Sequence, residues 1–558
     1  MDYVSRVTRL HSVSLALIAA LLSFATAARG LAQEDDQTLR VFLFAGQSNM
    51  VGSDSKVGDI ERFPPFVGLA EPQRGVRFSY CLGREEKRRS EGWVDLQPVD
   101  GVVGPELSFA REVTRAIKAP IAIIKVAAGG THLDGDWNPD APRGFAMYPL
   151  ALEHVRAALA ELDRRKVRYR LEGFMWHQGE NDMFEPGAMP KYGANLKSFL
   201  ASWRRDLDAP GLRFYIGELC TKTIWGMDLR SSMYAISVGQ REVTDADPLA
   251  DYVPTSHVGV EIGGGVGLHY HYGTLGQLEH GVNYADAYLR NIGVARGAAR
   301  PLAAWPYPKA SPVKLFVLAG HRNMEGERAF VQDLRALGQA ALAKDNPKIA
   351  YKYDVGGGYR VSDGWEPLGP AGSYDTFGPE LSFGKRLAGK ERGNIAIAKF
   401  THSGSQIIDW TPAGSEAVSR NLYPSFLAFV RGAVDDLKAH GHDVELAGVF
   451  YHLGENDMSY GPFRAGAVKN LAAWIAATRT DLDMPELRWF VSQQRPTDDE
   501  SVNRIDVTSE LQRLISADPH AFRIDAFELP GQEQQLVLTT AGVIALGDAL
   551  ADGYLKAR

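Results

Sequence analysis

Cysteine is almost absent: Cys81 and Cys220 are the only two in 558 residues. Two thiols cannot build a disulfide framework or a four-cysteine zinc site. In an oxidising compartment they could form one bridge, or they could remain two buried thiols, and their spacing does not choose. Runs of Lys or Arg are also missing, and 61 basic against 68 acidic residues leave a formal net charge of −7. That balance argues against nucleic acid or an anionic membrane as the main partner. With 45% hydrophobic and 23% charged residues, the composition excludes disordered, collagen-like and multi-span membrane classes. What remains is a soluble globular chain, long enough for two α/β domains of roughly 200–270 residues each.

The first residues read as a targeting signal. Arg6 and Arg9 precede an apolar run from Val13 to Leu22 that continues through small residues to Ala28. A charged stretch followed by a short apolar one is the pattern of export, and it is short for a membrane anchor, the competing reading. Small-residue cleavage patterns at Ala25-Thr26-Ala27 and Gly30-Leu31-Ala32 place the mature start between residues 28 and 33.

Beyond the signal the chain repeats itself. Phe44-Ala45-Gly46-Gln47-Ser48-Asn49-Met50 returns as Leu318-Ala319-Gly320-His321-Arg322-Asn323-Met324, an offset of 274. Gly104-Pro105-Glu106-Leu107-Ser108-Phe109 returns as Gly378 to Phe383 at the same offset, and His177-Gln178-Gly179-Glu180-Asn181-Asp182-Met183 as His452 to Met458 at 275. Trp137 matches Trp410. Four blocks in one order at a near-constant offset indicate a domain duplication. The expected organisation is a signal at 1–32, one domain at 37–296, a Pro/Ala/Gly-rich linker at 297–312 and a second domain at 313–558.

In the first copy, apolar β-rich runs at Arg40–Ala45, Ile121–Ala127, Leu171–His177 and Phe214–Leu219 alternate with helical patterns at Glu106–Lys118, Pro149–Arg164 and Tyr192–Leu207. Near-continuous apolar strands separated by helices predict a parallel sheet covered on both faces, an α/β fold. Ligands of such sheets sit at the carboxyl ends of the strands. Ser48, Gly129 and Gln178 all fall at or just beyond predicted strand ends, which places three polar contributions on one rim.

A serine nucleophile needs a base, together with donors for the oxyanion formed when it attacks a carbonyl. Ser48 lies in a tight strand-to-loop turn, Gly129 and Gly130 can bring backbone N–H groups close to a ligand, and Gln178 carries a side-chain amide. The segment Leu268-His269-Tyr270-His271 precedes a predicted helix at Leu275–Asn291 and can return an imidazole to the rim. Any single serine is more often a turn or helix-cap residue; the blocks around Ser48 are what favour the nucleophile. His269 and His271, two apart, would share a face in an extended segment, but no third metal ligand with suitable spacing accompanies them. Trp137 and Trp176 read as core residues before sugar platforms, because Trp410 persists in the second copy.

These blocks resemble the SGNH (GDSL-type) hydrolase superfamily, in its sialate O-acetylesterase and acetylxylan-esterase-like branch, whose hallmarks are G-Q-S-N-M, W-x-Q-G-E-x-D and D-x-L-H. The resemblance covers nearly the whole chain after the signal, once per copy. It implies two tandem three-layer α/β/α, flavodoxin-like domains, no cofactor or metal, and an acetylated carbohydrate as substrate. It implies Ser48 as nucleophile, with Ser48, Gly129 or Gly130, and Gln178 forming the oxyanion hole. The family histidine, five residues before a helix-opening glycine, falls on His271, with His269 as the alternative. The family aspartate, three residues earlier, falls on Leu268. The orienting carboxylate is therefore missing from its usual place, and Asp251, Glu261 and Glu180 are the candidates to replace it.

The second copy is an internal control. Ser48 becomes Arg322, Gln178 becomes Leu453, Gly129 becomes Ser403, and Val537 stands where the histidine belongs, preceded by Gln534. Positions kept in both copies, Glu180/Glu455, Asp182/Asp457, Glu106/Glu380 and Asn49/Asn323, then read as architectural. The expectation is an exported serine esterase, periplasmic or extracellular, that removes O-acetyl groups from a carbohydrate through an acyl-enzyme on Ser48, followed by a silent copy. A non-catalytic carbohydrate-binding protein built from two such domains is the alternative, favoured by Leu268.

Overall fold

A computed structural model of the chain describes residues 37–558 apart from Glu86, 220–222, 225–226, 260–270, 295–299, 417–419, 454, 459–460, 494–505, 534–536 and Arg558. The expected signal, Cys220, Glu261 and His269 lie outside the described residues. The first unit contains β1 Leu39–Gly46, a short helix α1 Ser48–Val51, β2 Gln73–Leu82, α2 Glu106–Ala116, β3 Ile121–Ala127, α3 Met147–Arg164 and β4 Tyr169–His177. It continues with α4 Tyr192–Asp206, β5 Phe214–Gly217, α5 Arg230–Ala246, β6 Ala250–Val253 and α6 Gly273–Asn291. The six strands are parallel in the order β6-β5-β4-β1-β3-β2, with two short antiparallel strands on the β2 edge.

Every residue of β1 is buried. Val41, Leu43 and Ala45 face a core built with α3, α4 and α5, while Phe42 and Phe44 face another built with α2 and α6. A strand covered on both sides has no polar face, which explains its unbroken apolar run. The chain runs from β1 to β2 at one edge, returns to β3 between them, then crosses to the other side of β1 for β4, β5 and β6. The reversal leaves a crevice beyond the carboxyl ends of β1, β3 and β4, the place where open α/β sheets bind ligands.

The second unit repeats this plan with β7 Val313–Gly320, α7 Arg322–Glu325, β8 Asn346–Val355, α8 Glu380–Ala388, β9 Asn394–Thr401, α9 Tyr423–Ala439, β10 Val444–Leu453, α10 Gly461–Asp481, β11 Trp489–Gln493, α11 Val507–Ser516, β12 Ala521–Asp525 and α12 Thr540–Lys556. Its strands are parallel in the matching order β12-β11-β10-β7-β9-β8. Both units are three-layer α/β folds. Residues 300–312 lie along the second unit: Arg300 pairs with Asp345 at 2.7 Å and Trp305 stacks on His440 at 3.9 Å. No described helix is long and apolar enough to cross a membrane.

Residues retained in both copies are structural ties. Lys125, fully buried on β3, bonds Glu106 at 2.7 Å, as Lys399 bonds Glu380 at 2.9 Å. Asp182 accepts the Leu133 N–H at 2.9 Å, as Asp457 accepts that of Ile407 at 3.0 Å. Trp137 and Trp176 are fully buried edge-to-face partners at 5.2 Å, so both serve the core. Cys81 is a free, buried thiol on β2 whose burial raises its pKa.

Candidate active site

The β1 ladder continues to the rim through Gln47 N–H to His177 O at 3.0 Å and Ala128 N–H to Gly46 O at 3.1 Å. Ser48 opens α1 immediately beyond and is 8% exposed, so it sits at the floor of an opening and not inside the core. Gly129 follows β3 beside it; a Cβ there would stand 3.5 Å from Ser48 Cβ. Among the described residues, neither the Ser48 nor the Gly129 backbone N–H donates a hydrogen bond. Gly130 turns the chain away with φ +70°.

Gln178 is fully buried beneath this floor. Its amide nitrogen faces Asp182 Oδ2 at 2.5 Å, Thr131 O at 2.9 Å and Gln47 Oε1 at 3.1 Å. Those acceptors outnumber the two protons of a carboxamide, so Gln178 ties the β1, β3 and β4 loops together and has no N–H left for a ligand.

His271 reaches the rim from the start of α6. Its Nδ1 lies 2.6 Å from Asp54 Oδ2. Asp54 belongs to the loop that follows Ser48 and has φ +62°, a left-handed conformation that aspartate tolerates better than most residues. Three further hydrogen bonds lace this loop to the helix start. Tyr272 N–H donates to Asn49 Oδ1 at 3.2 Å, Lys56 N–H to Thr274 Oγ1 at 2.8 Å, and Thr274 O–H to Lys56 O at 3.1 Å. No hydrogen bond joins Ser48 to His271 in this conformation.

Of the sequence candidates for the orienting acid, the two described ones, Asp251 and Glu180, lie elsewhere. Asp251 bonds Arg213 at 3.0 Å and Asn291 at 2.7 Å. Asn291 ends α6, about 27 Å along the helix from its start, so Asp251 and His271 are at opposite ends of the sheet. Glu180 is buried, accepting from Asn49 at 2.5 Å with His177 Nε2 at 3.4 Å. Burial pushes its carboxyl up, but the His177 and Asn49 contacts outweigh it and hold the pKa below the usual value. Sequence reasoning missed Asp54, which is 217 positions from its histidine.

The loops after β3 and β4, which also carry Gly129 and Gln178, enclose a cleft of about 370 Å³ lined by His132, Asp134, Asp136, Arg143, Glu185 and Lys191. Hydrogen bonding to Asp136 raises the His132 pKa. The lining mixes both signs of charge with many donors and acceptors.

The second rim carries different groups at the matching positions. Arg322 Nε donates to Asn456 at 2.9 Å and its Nη1 bonds Glu327, so a guanidinium fills the position that Ser48 holds in the first unit. Leu538 N–H donates to Asn323 Oδ1 at 2.8 Å, as Tyr272 does to Asn49, which sets Val537 opposite His271.

Residues 38–290 and 312–556 each match the family model described as carbohydrate esterase, sialic acid-specific acetylesterase. The chain belongs to this family. It is 24% identical over 265 residues to a protein named a probable carbohydrate esterase from Arabidopsis thaliana, covering 45% of this chain and 91% of that one. Among solved structures it is similar to a carbohydrate acetylesterase of Xanthomonas citri, at 18% identity with a TM-score of 0.34, covering 47% of this chain and 59% of the other. It is likewise similar to NanS, at 16% identity with a TM-score of 0.36, covering 46% and 98%. The chain is thus a carbohydrate esterase of the O-acetyl-removing kind, built from two copies of the family domain.

Proposed function

We propose that the first unit is an exported serine esterase that releases acetate from an O-acetylated carbohydrate, sialic acid or an acetylated polysaccharide, through an acyl-enzyme on Ser48. Ser48 Oγ attacks the acetyl carbonyl carbon while His271 takes the hydroxyl proton. The Ser48 and Gly129 N–H groups receive the oxyanion, and Asp54 holds the imidazole with Nδ1–H directed at its carboxylate. Collapse breaks the ester bond, and the sugar oxygen leaves with the proton from His271. Water, deprotonated by the same imidazole, then attacks the acetyl-enzyme; the Ser48 Oγ–acyl bond breaks, Ser48 takes the proton back from His271, and acetate is freed. The cleft between the loops after β3 and β4 holds the sugar through its mixed polar lining, while Gln178 fixes those loops from beneath.

The observation that carries this reading is the Asp54–His271 contact of 2.6 Å on the loop that bears Ser48. It supplies the carboxylate that Leu268 lacks and so favours an enzyme over a binding module. Wild-type protein should release acetate from a chromogenic ester, and Ser48→Ala should lower kcat by about 10³-fold or more. A serine-directed fluorophosphonate should label Ser48 and no residue of 313–558. Equal hydrolysis by Ser48→Ala, or label on the second unit, overturns the assignment. Export rests on Arg6, Arg9 and the apolar run after them. N-terminal sequencing of secreted protein should find a start between residues 28 and 33, and retention of Met1 would contradict it.

A further inference from the structure

The rim of the second sheet has lost its own chemistry, yet it is not open. Pro254–Gly259, leaving β6 of the first unit, lies across it. Ser256 Oγ meets His402 Nε2 at 3.2 Å. The His257 ring lies over Tyr359 at 4.2 Å between centroids, and its Nε2 is 2.8 Å from the Tyr374 hydroxyl. Ser256 O approaches so closely that a Cβ at Gly404 would stand 1.6 Å from it. A Cβ at Gly259 would be 3.0 Å from Glu327 Oε1. By the 274-residue offset, His402, Gly404 and Glu327 correspond to Ala128, Gly130 and Ser53. The segment therefore occupies, on the second unit, the place that is the candidate active site on the first.

The same six residues also grip the start of α6. Thr255 Oγ1 lies 3.0 Å from the hydroxyl of Tyr272, the residue after His271. Gly259 N–H donates to Glu279 Oε2 at 2.5 Å, and Gly259 O leaves no room for a side chain at Gly276, where a Cβ would be 2.0 Å away. Tyr374 of the second unit reaches α6 directly, donating to Asn283 Oδ1 at 2.6 Å. Burial pushes the His257 pKa down to about 4, so its ring is neutral at working pH. The hydrogen-bond pattern then assigns Nε2–H as donor to Tyr374, whose own proton goes to Asn283.

We infer that the second copy acts as a socket: its vestigial rim holds Pro254–Gly259, and through that segment and Asn283 it positions the His271 end of α6 against Ser48. This rests on the esterase reading above. The residues of the socket are positioning residues, since none touches the reacting atoms. A shift of about 1 Å in a catalytic group can cost about 100-fold in rate, so a rigid hold on the α6 start has consequences for turnover.

The test uses the full chain and a small chromogenic acetate, whose turnover does not depend on polymer binding. Tyr374→Phe and the double variant Tyr374→Phe/His402→Ala should lower kcat by about 10- to 100-fold with KM little changed. Fluorophosphonate labelling of Ser48 should slow in step. Amide hydrogen exchange should quicken in peptides covering 254–259 and 272–279. Leu471→Ala, in the second unit's core, is the control for mere instability: it should lower the unfolding midpoint and leave the rate well below that midpoint unchanged. Folded socket variants with wild-type kcat and wild-type exchange would overturn the inference, as would an equal rate loss in Leu471→Ala. If the wild type neither releases acetate nor labels, the esterase reading fails, and the exchange measurement still decides the socket.

Discussion

His271 and Asp54 meet although their chain positions give no hint of it. The family pattern places the acid three residues before the histidine, where this chain has Leu268. In the proposed site a carboxylate comes instead from Asp54, on the loop that follows Ser48, which Asn49–Tyr272 and Lys56–Thr274 tie to the start of α6. A neutral Asn at 54 can still bond the ring but cannot stabilise the imidazolium that forms during attack. Asp54→Asn should therefore reduce kcat for a chromogenic acetate by about 10- to 1,000-fold, whereas Asp251→Asn, at the other end of the sheet, should leave it within about twofold. His271→Ala should fall by several orders of magnitude and His269→Ala should not. Damage from Asp251→Asn or His269→Ala in place of these would move the site off Asp54 and His271.

At the scale of elements, what the sequence made legible follows from burial. The predicted strand Ile121–Ala127 and the helix starts at Glu106 and Tyr192 agree with the structure because their apolar patterns face cores on known sides. The strand Gln73–Leu82 went unread: it is near the sheet edge, carries Arg74 and Arg77, and its mixed burial breaks the apolar run. Asp54 and the socket were illegible for a different reason, since both arise from contacts between distant segments and leave no period in the chain. The duplication, by contrast, showed which polar residues are architectural. Glu106 is one of them, and its partner is Lys125: burial pulls the lysine pKa down and Glu106 holds the charge in place. Removing one partner of a buried pair strands the other charge, so Lys125→Met should cost about 3–5 kcal/mol in denaturant unfolding. The double change Lys125→Met/Glu106→Leu should recover much of that loss; no recovery would show the pair to be more than mutual compensation.

For the whole molecule, duplication has produced two rims with different electrostatics. The first presents Ser48 and a charged contact at its surface. The second has Arg322 locked by Asn456 and Glu327 and buries carboxylates behind it. Glu325 is such a group: burial raises its carboxyl to about 7, against the opposing pull of Lys399 and the N–H groups of Gly356 at 3.2 Å and Ser403 at 2.9 Å. In the unfolded chain a glutamate titrates near 4.5. The folded pKa is thus the higher one, so the native state holds a proton that the unfolded state releases between these values. The stability this confers is fully present below about pH 4.5 and is lost as pH rises through about 7. The loss approaches roughly 3 kcal/mol at most. Glu325→Gln removes the titration while keeping an acceptor for both N–H groups. Its unfolding free energy should match the wild type near pH 5 and exceed it increasingly up to pH 8. The difference is the quantity to measure, because His257, neutral in the fold and titrating in the unfolded chain, contributes equally to both proteins. A gap between variant and wild type that stays constant from pH 5 to 8 would mean that Glu325 is ionised in its buried site, with Lys399 carrying its countercharge.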